Sequence, residues 1–178
     1  AECISHEVGH NLGLSHDGAT TEYYSGHGTG EASWGPIMGA SYNKNFTQWS
    51  KGDYSKATNK EDDIAIIAAK TEYAADDVPA DLVGANSINV TSGTFLSDNH
   101  LIGAQADVDI HRIEITQNSV TINAETFKVP GYSSYGSNLG IQLELLSAAG
   151  NLVAAASNQG QSTATITASV PTGTYYIR

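Results

Sequence analysis

The 178-residue chain carries 8 Lys and Arg against 19 Asp and Glu, a formal net charge of −11, with 40% hydrophobic residues and 18 glycines. This composition describes a folded, turn-rich polypeptide; it excludes disorder and collagen, and its sign argues against a phosphate backbone or an anionic membrane as partner. No apolar run approaches the roughly 18 residues that span a bilayer, and the single cysteine, Cys3, excludes a disulfide framework within the chain.

The chain opens on Ala1-Glu2-Cys3 and closes on Gly173-Thr174-Tyr175-Tyr176-Ile177-Arg178, a turn and a strand that has barely begun, so it reads as a fragment open at both ends. Residues 1–12 read as a helix in which Ile4, Val8 and Leu12 form an apolar stripe and Gly13 supplies the stop. Residues 17–58, rich in Gly, Ser, Asn and Tyr, read as a loop with Trp34-Gly35-Pro36 as a breaker. A second helix is expected near residues 59–72, where Thr58-Asn59-Lys60-Glu61 has capping-box spacing and Ile64, Ile67 and Ala68 make a stripe. Residues 76–86, containing Asp76-Asp77-Val78-Pro79, read as a linker between a first part, 1–75, and a second, 87–178.

Beyond the linker the apolar period changes from four to two. Val120, Ile122 and Ala124 alternate with Thr121 and Asn123, and Leu139, Ile141, Leu143 and Leu145 with Gly140, Gln142 and Glu144. Ala164, Ile166 and Ala168 alternate with threonines. Turns at Pro130-Gly131, Ala149-Gly150-Asn151 and Pro171-Thr172-Gly173, with no helical pattern between them, predict an antiparallel β-sandwich, so that the whole is α+β.

Four of the six histidines lie in the first 27 residues. His6-Glu7-Val8-Gly9-His10 is an H-E-x-x-H pattern: residues four apart share one helix face, so two imidazoles can reach one Zn²⁺, and Glu7 beside them can take a proton from a water that the metal activates. Gly13 and His16 extend the pattern to H-E-x-x-H-x-x-G-x-x-H. A straight helix cannot bring a residue six past His10 to the same ion, and a glycine turns the backbone without a Cβ penalty.

This longer pattern, with Met38 in Gly35-Pro36-Ile37-Met38-Gly39-Ala40-Ser41-Tyr42, resembles the metzincin zinc peptidases, and His16-Asp17 resembles their adamalysin (reprolysin-like) branch. Astacin-like and serralysin-like branches place a tyrosine two residues after the methionine; Ala40 stands there, and Tyr42 is a poor metal-ligand candidate. The resemblance implies that residues 1–75 are the C-terminal portion of a metzincin catalytic domain, comprising active-site helix, Met-turn loop and C-terminal helix. It further implies one catalytic Zn²⁺ on His6, His10 and His16, Glu7 as general base, Met38 as an apolar floor and Asp17 as an anchor for the chain after the third ligand. The activity implied is endopeptidase action on protein or peptide substrates, with the fragment by itself poorly active because the substrate-holding strand lies upstream of it.

Residues 87–178 are similar in texture to the pre-peptidase C-terminal domains of secreted bacterial peptidases, through Asp107-Val108-Asp109-Ile110, Asn138-Leu139-Gly140-Ile141-Gln142-Leu143 and the closing Gly173-Thr174-Tyr175-Tyr176-Ile177, but depart at His111, where an aromatic is usual. That resemblance implies a secreted bacterial peptidase; the acidic charge and the lack of an apolar span argue against a nucleic-acid or membrane partner, and a monomer is expected. The competing reading is a non-enzymatic adhesion module carried by the sandwich beside an inactive peptidase remnant. Secondary candidates have plainer accounts: His27 as a solvated loop residue, Cys3 as packed or paired outside the chain, Asn45-Phe46-Thr47 and Asn89-Val90-Thr91 as chance sequons, and Asp107 and Asp109 as a polar strand face in place of a Ca²⁺ site.

Overall fold

The computed structural model describes residues 2–91, 94–95, 100–127, 139–157 and 162–178. The expected turn at Pro130-Gly131 and the motif residue Asn138 lie outside them. Secondary structure is mixed α/β and mostly strand, and the chain divides into two compact units. One holds Ala1–Glu72 with Thr126–Gly140 and Gly160–Ser162; the other holds Tyr73–Glu125, Ile141–Gln159 and Thr163–Arg178. Among the described residues no helix is long and apolar enough to cross a membrane.

The first unit begins with α1 (Glu2–Asn11). It ends as the glycine predicts: Gly13 has φ +91°, its N–H reaches His10 O at 2.9 Å, and the Leu14 N–H reaches back to Gly9 O at 3.0 Å. These two bonds form a Schellman stop, in which only a residue tolerant of positive φ fits the reversal. The buried face differs from the predicted stripe. Ile4 is 72% exposed and Val8 is also exposed, whereas His6 and Gly9 are buried. Packing decides this, because Gly9 sits against Met38: a Cβ on Gly9 would lie 2.5 Å from Met38 Sδ and 3.1 Å from Trp49 Cζ3.

The segment expected to be an unstructured loop contains a 3-10 turn (Gly30–Ala32) and two short parallel strands, β1 (Trp34–Pro36) and β2 (Phe46–Gln48). The supposed breaker is therefore a strand, visible only once its partner twelve residues on is paired with it. The sequon residue Asn45 is buried and donates its Nδ2 to Glu31 O at 2.7 Å, so its amide is engaged. The second helix, α2 (Asp63–Ala68), is shorter than predicted and is capped by Asp62, which accepts from the Ala65 N–H at 3.0 Å. Glu61 does not close a capping box because its carboxylate is taken by Ser15, accepting from the backbone N–H at 2.9 Å and from Oγ at 3.0 Å. Ile64 of the expected stripe is exposed, and the buried residue of α2 is Asp63.

In the second unit, β3 (Asn86–Ser87), β6 (His111–Ile115), β8 (Gln142–Ser147), β9 (Leu152–Ser157) and β11 (Gly173–Ile177) form one sheet in the order β3-β6-β11-β8-β9. The strands β7 (Val120–Glu125) and β10 (Thr163–Ala168) form an antiparallel pair, and β4 (Val90–Thr91) with β5 (Thr94–Phe95) a second, shorter one. Among the described residues of this unit all pairings are antiparallel except β3 with β6, a departure from the expected all-antiparallel arrangement.

The period-two pattern is realised in β7 and β10, where Ile122 faces Ile166 and Ala124 faces Ala164. These residues pack with Ile113 and Ile115 of β6 and Leu143 and Leu145 of β8 into one buried cluster. The strand read as barely begun, β11, is the middle of the five-stranded sheet, paired on both sides. Glu144 breaks the predicted alternation: it is buried, and Arg178 Nε donates to its Oε2 at 2.7 Å. Residues 76–86 pack within this unit, with Val78 fully buried and Pro79 O accepting from the Ile110 N–H at 3.2 Å.

Candidate metal centre

His6 and His10 project from one face of α1, and the Schellman stop folds the chain back so that His16 meets them. Their ring nitrogens lie within 4.8 Å of one another, and His10 Nε2 is 3.0 Å from His16 Nε2. Each Nδ1 has its own acceptor: His6 donates to Ile37 O at 2.8 Å, His10 to Leu14 O at 2.9 Å and His16 to Glu22 Oε1 at 3.1 Å. A carbonyl or carboxylate oxygen only accepts, so Nδ1 donates in all three rings and Nε2 is the nitrogen left to face a metal ion. Two ring nitrogens 3.0 Å apart need a proton or a metal ion between them. Tetrahedral bonds of about 2.0–2.1 Å to one ion place neighbouring nitrogens roughly 3.3 Å apart, near the 3.0 Å between His10 and His16 Nε2. The donor set therefore fits a metal ion that favours imidazole.

The Met38 segment ties the parts together. Met38 is 0% exposed beneath Gly9 of α1, its carbonyl accepts from the Asp17 N–H at 2.8 Å, and the preceding carbonyl holds His6. Asp17 anchors the chain after the third histidine: it is 1% exposed, its carbonyl accepts from the Tyr24 N–H at 2.7 Å, and Tyr54 hydroxyl approaches its Oδ1 at 3.4 Å and Gly18 O at 2.9 Å. Glu7 follows His6 on α1 and is exposed. Tyr42 is exposed, and Cys3 is an exposed free thiol outside the histidine cluster.

Two side chains that the sequence reading did not single out complete the surroundings. Tyr23 lays its ring 4.3 Å from that of His16 and 6.4 Å from that of His6. Glu22 holds His16 as described. A carboxylate and a phenol in an aperiodic loop carry no local signal for either role. His27, expected to be solvated, is exposed but bridged to Trp34, with Nδ1 3.0 Å from the Tyr24 hydroxyl.

Buried acid lies behind the centre. Asp63 is 0% exposed, accepts from the Ser50 N–H at 2.9 Å through Oδ2, and leaves Oδ1 without a partner, as Asp17 leaves Oδ2. Desolvation, with smaller contributions from neighbouring acids, pushes Asp17 up to about 6 and Asp63 up to about 7. Both folded values exceed that of the unfolded chain, so between about pH 4 and pH 7 the folded state holds more protons and this contribution to stability falls as pH rises. Asp63→Asn keeps an acceptor for Ser50 and removes the charge. Its stability relative to the parent is expected to improve by roughly 1–3 kcal/mol from pH 5 to pH 8. Thermal melts that shift in parallel across that range would show that Asp63 bears no such penalty.

In the second unit the carboxylates of Asp76, Asp107 and Asp109 come within 4.8 Å of one another. Residues 106–110 are a loop leading into β6 and not the expected strand face. Burial, and then Asp107, push Asp109 up to about 6, and its Oδ1 is without a partner. His100 and His111, isolated in sequence, bring their rings to 4.6 Å, and His100 Nδ1 lies 2.9 Å from Asp77 Oδ2.

No family model, curated protein or solved structure matches the chain.

Proposed function

We propose that the first unit carries the active-site helix, Met-turn loop and C-terminal helix of a metzincin-like catalytic domain of the adamalysin-like branch, and that the protein is a secreted zinc endopeptidase. The observation that carries this reading is the convergence of His6 and His10, on a helix that also bears Glu7, with His16 from the returning chain, each Nδ1 already facing an acceptor. Zn²⁺ bound there would supply Lewis acidity, polarising a scissile carbonyl and lowering the pKa of water. Glu7, exposed and directly after His6, would be the base that takes a proton from water and returns it to the leaving amine. Asp17 and Met38 keep the third histidine and the helix in register, the first through backbone bonds and the second by packing.

The second unit is read as a β-sandwich accessory domain, supported by the single apolar core to which both of its larger sheets contribute. Metal removal tests the assignment. A chelator is expected to abolish the weak hydrolysis of a casein-type substrate expected of the zinc-loaded protein, and added Zn²⁺ to restore it. Zinc uptake without chelator-sensitive cleavage would favour the alternative, a binding module beside an inactive remnant.

A further inference from the structure

We infer that Glu22 is a positioning residue for the third donor, and that its carboxylate sets how tightly the centre holds its metal. The inference rests on the metal-centre reading above. The three imidazoles are not held alike: His6 and His10 donate to backbone carbonyls of Ile37 and Leu14, which come with the fold, whereas His16 donates to a side chain that is 72% exposed. His16 is also the donor outside α1, carried by the returning chain, so its ring orientation depends most on an external partner.

The loop is built to deliver that partner. The Tyr24 N–H bonds Asp17 O at 2.7 Å and the Ala40 N–H bonds Tyr24 O at 2.9 Å, which draws residues 18–24 back over the centre. Gly18 permits the return, since a Cβ there would meet Thr21 O at 2.7 Å and Glu22 O at 2.8 Å. Glu22 then holds the Nδ1 edge of His16 while Tyr23 covers its face at 4.3 Å. A carboxylate accepting from Nδ1–H keeps the tautomer with a free Nε2 lone pair and makes that lone pair a stronger donor, the effect that outer carboxylates have on metal-bound histidines.

The test is the Zn²⁺ affinity of the full 178-residue chain, read by competition with a chromogenic chelator, with the visible absorption of the Co²⁺-loaded protein as a second readout. Glu22→Ala is expected to weaken Zn²⁺ binding about 10–100-fold and to alter the Co²⁺ spectrum. Glu22→Gln, whose amide oxygen can accept the same bond, is expected to recover part of the loss. Glu72→Ala, removing an exposed acid elsewhere in the first unit, is expected to change nothing. The inference is overturned if Glu22→Ala binds Zn²⁺ as the parent does, or if Glu72→Ala loses as much, which would reduce the effect to bulk charge. Loss of tight binding in His16→Ala would leave the metal centre standing in either case. A parent chain that takes up no Zn²⁺ overturns the metal centre and this inference together.

Discussion

Glu7→Gln is expected to lower peptide turnover by about 10²–10⁴-fold while leaving zinc content unchanged, the loss typical of removing a positioned general base. The substitution is nearly isosteric and keeps an oxygen that can orient water, so what disappears is the ability to accept and return a proton. Glu7 is exposed on α1 and lies outside the histidine cluster, so folding and metal uptake have little reason to change. Surface changes of this kind usually stay within about 0.5 kcal/mol. Turnover and metal content measured on the same preparations separate the outcomes. Parental turnover in Glu7→Gln would remove Glu7 from the mechanism, and loss of metal would place it among the donors instead.

Met38→Ala is expected to destabilise the first unit by about 2–5 kcal/mol, the range for truncating a fully buried long side chain. Met38 has no exposed surface, fills the space beneath Gly9 and lies between the carbonyl that holds His6 and the one that holds Asp17. Emptying that space removes dispersion contacts and loosens both the carbonyl that holds His6 and the one that holds the Asp17 N–H after His16. Met38→Leu, close in volume, is expected to cost less than about 1.5 kcal/mol. Gly9→Ala clashes with Met38 in the parent, and the two substitutions should couple, with the new Cβ better tolerated when Met38 is alanine. Urea midpoints for the parent, the three single variants and the Gly9→Ala/Met38→Ala double variant decide this. An unchanged midpoint in Met38→Ala would mean that the contact is replaced by local collapse and does not hold the centre.

Much of the candidate centre was legible before any coordinates. The i, i+4 histidines, the glycine three residues on and the third histidine six on form a pattern whose spacing follows from helix geometry and from the positive φ at Gly13. The alternation in 120–124 and 164–168 was equally local and reappears as paired strands β7 and β10. The apolar stripes of the two helices misled, because periodicity reports which residues are apolar and not which face meets a neighbour. Met38 and Trp49 press on Gly9, so α1 buries a histidine and a glycine and exposes Ile4. Glu61 was equally misread, since a carboxylate three residues after a threonine suits a capping box, but Ser15, far away in sequence, offers it two donors.

The three histidines, the helical spacing of the first two and the stop that returns the chain were legible locally, since each depends on neighbours within a few residues. Only folding settled how those histidines are held. The carbonyls of Ile37 and Leu14, the Glu22 carboxylate and the Tyr23 ring fix tautomer and orientation, and the buried Asp17 and Asp63 sit behind them. The physical reason is range: a turn or a helix face is fixed by dihedrals over one or two turns of chain, whereas a hydrogen-bond partner or a packing contact can lie anywhere that folding brings it.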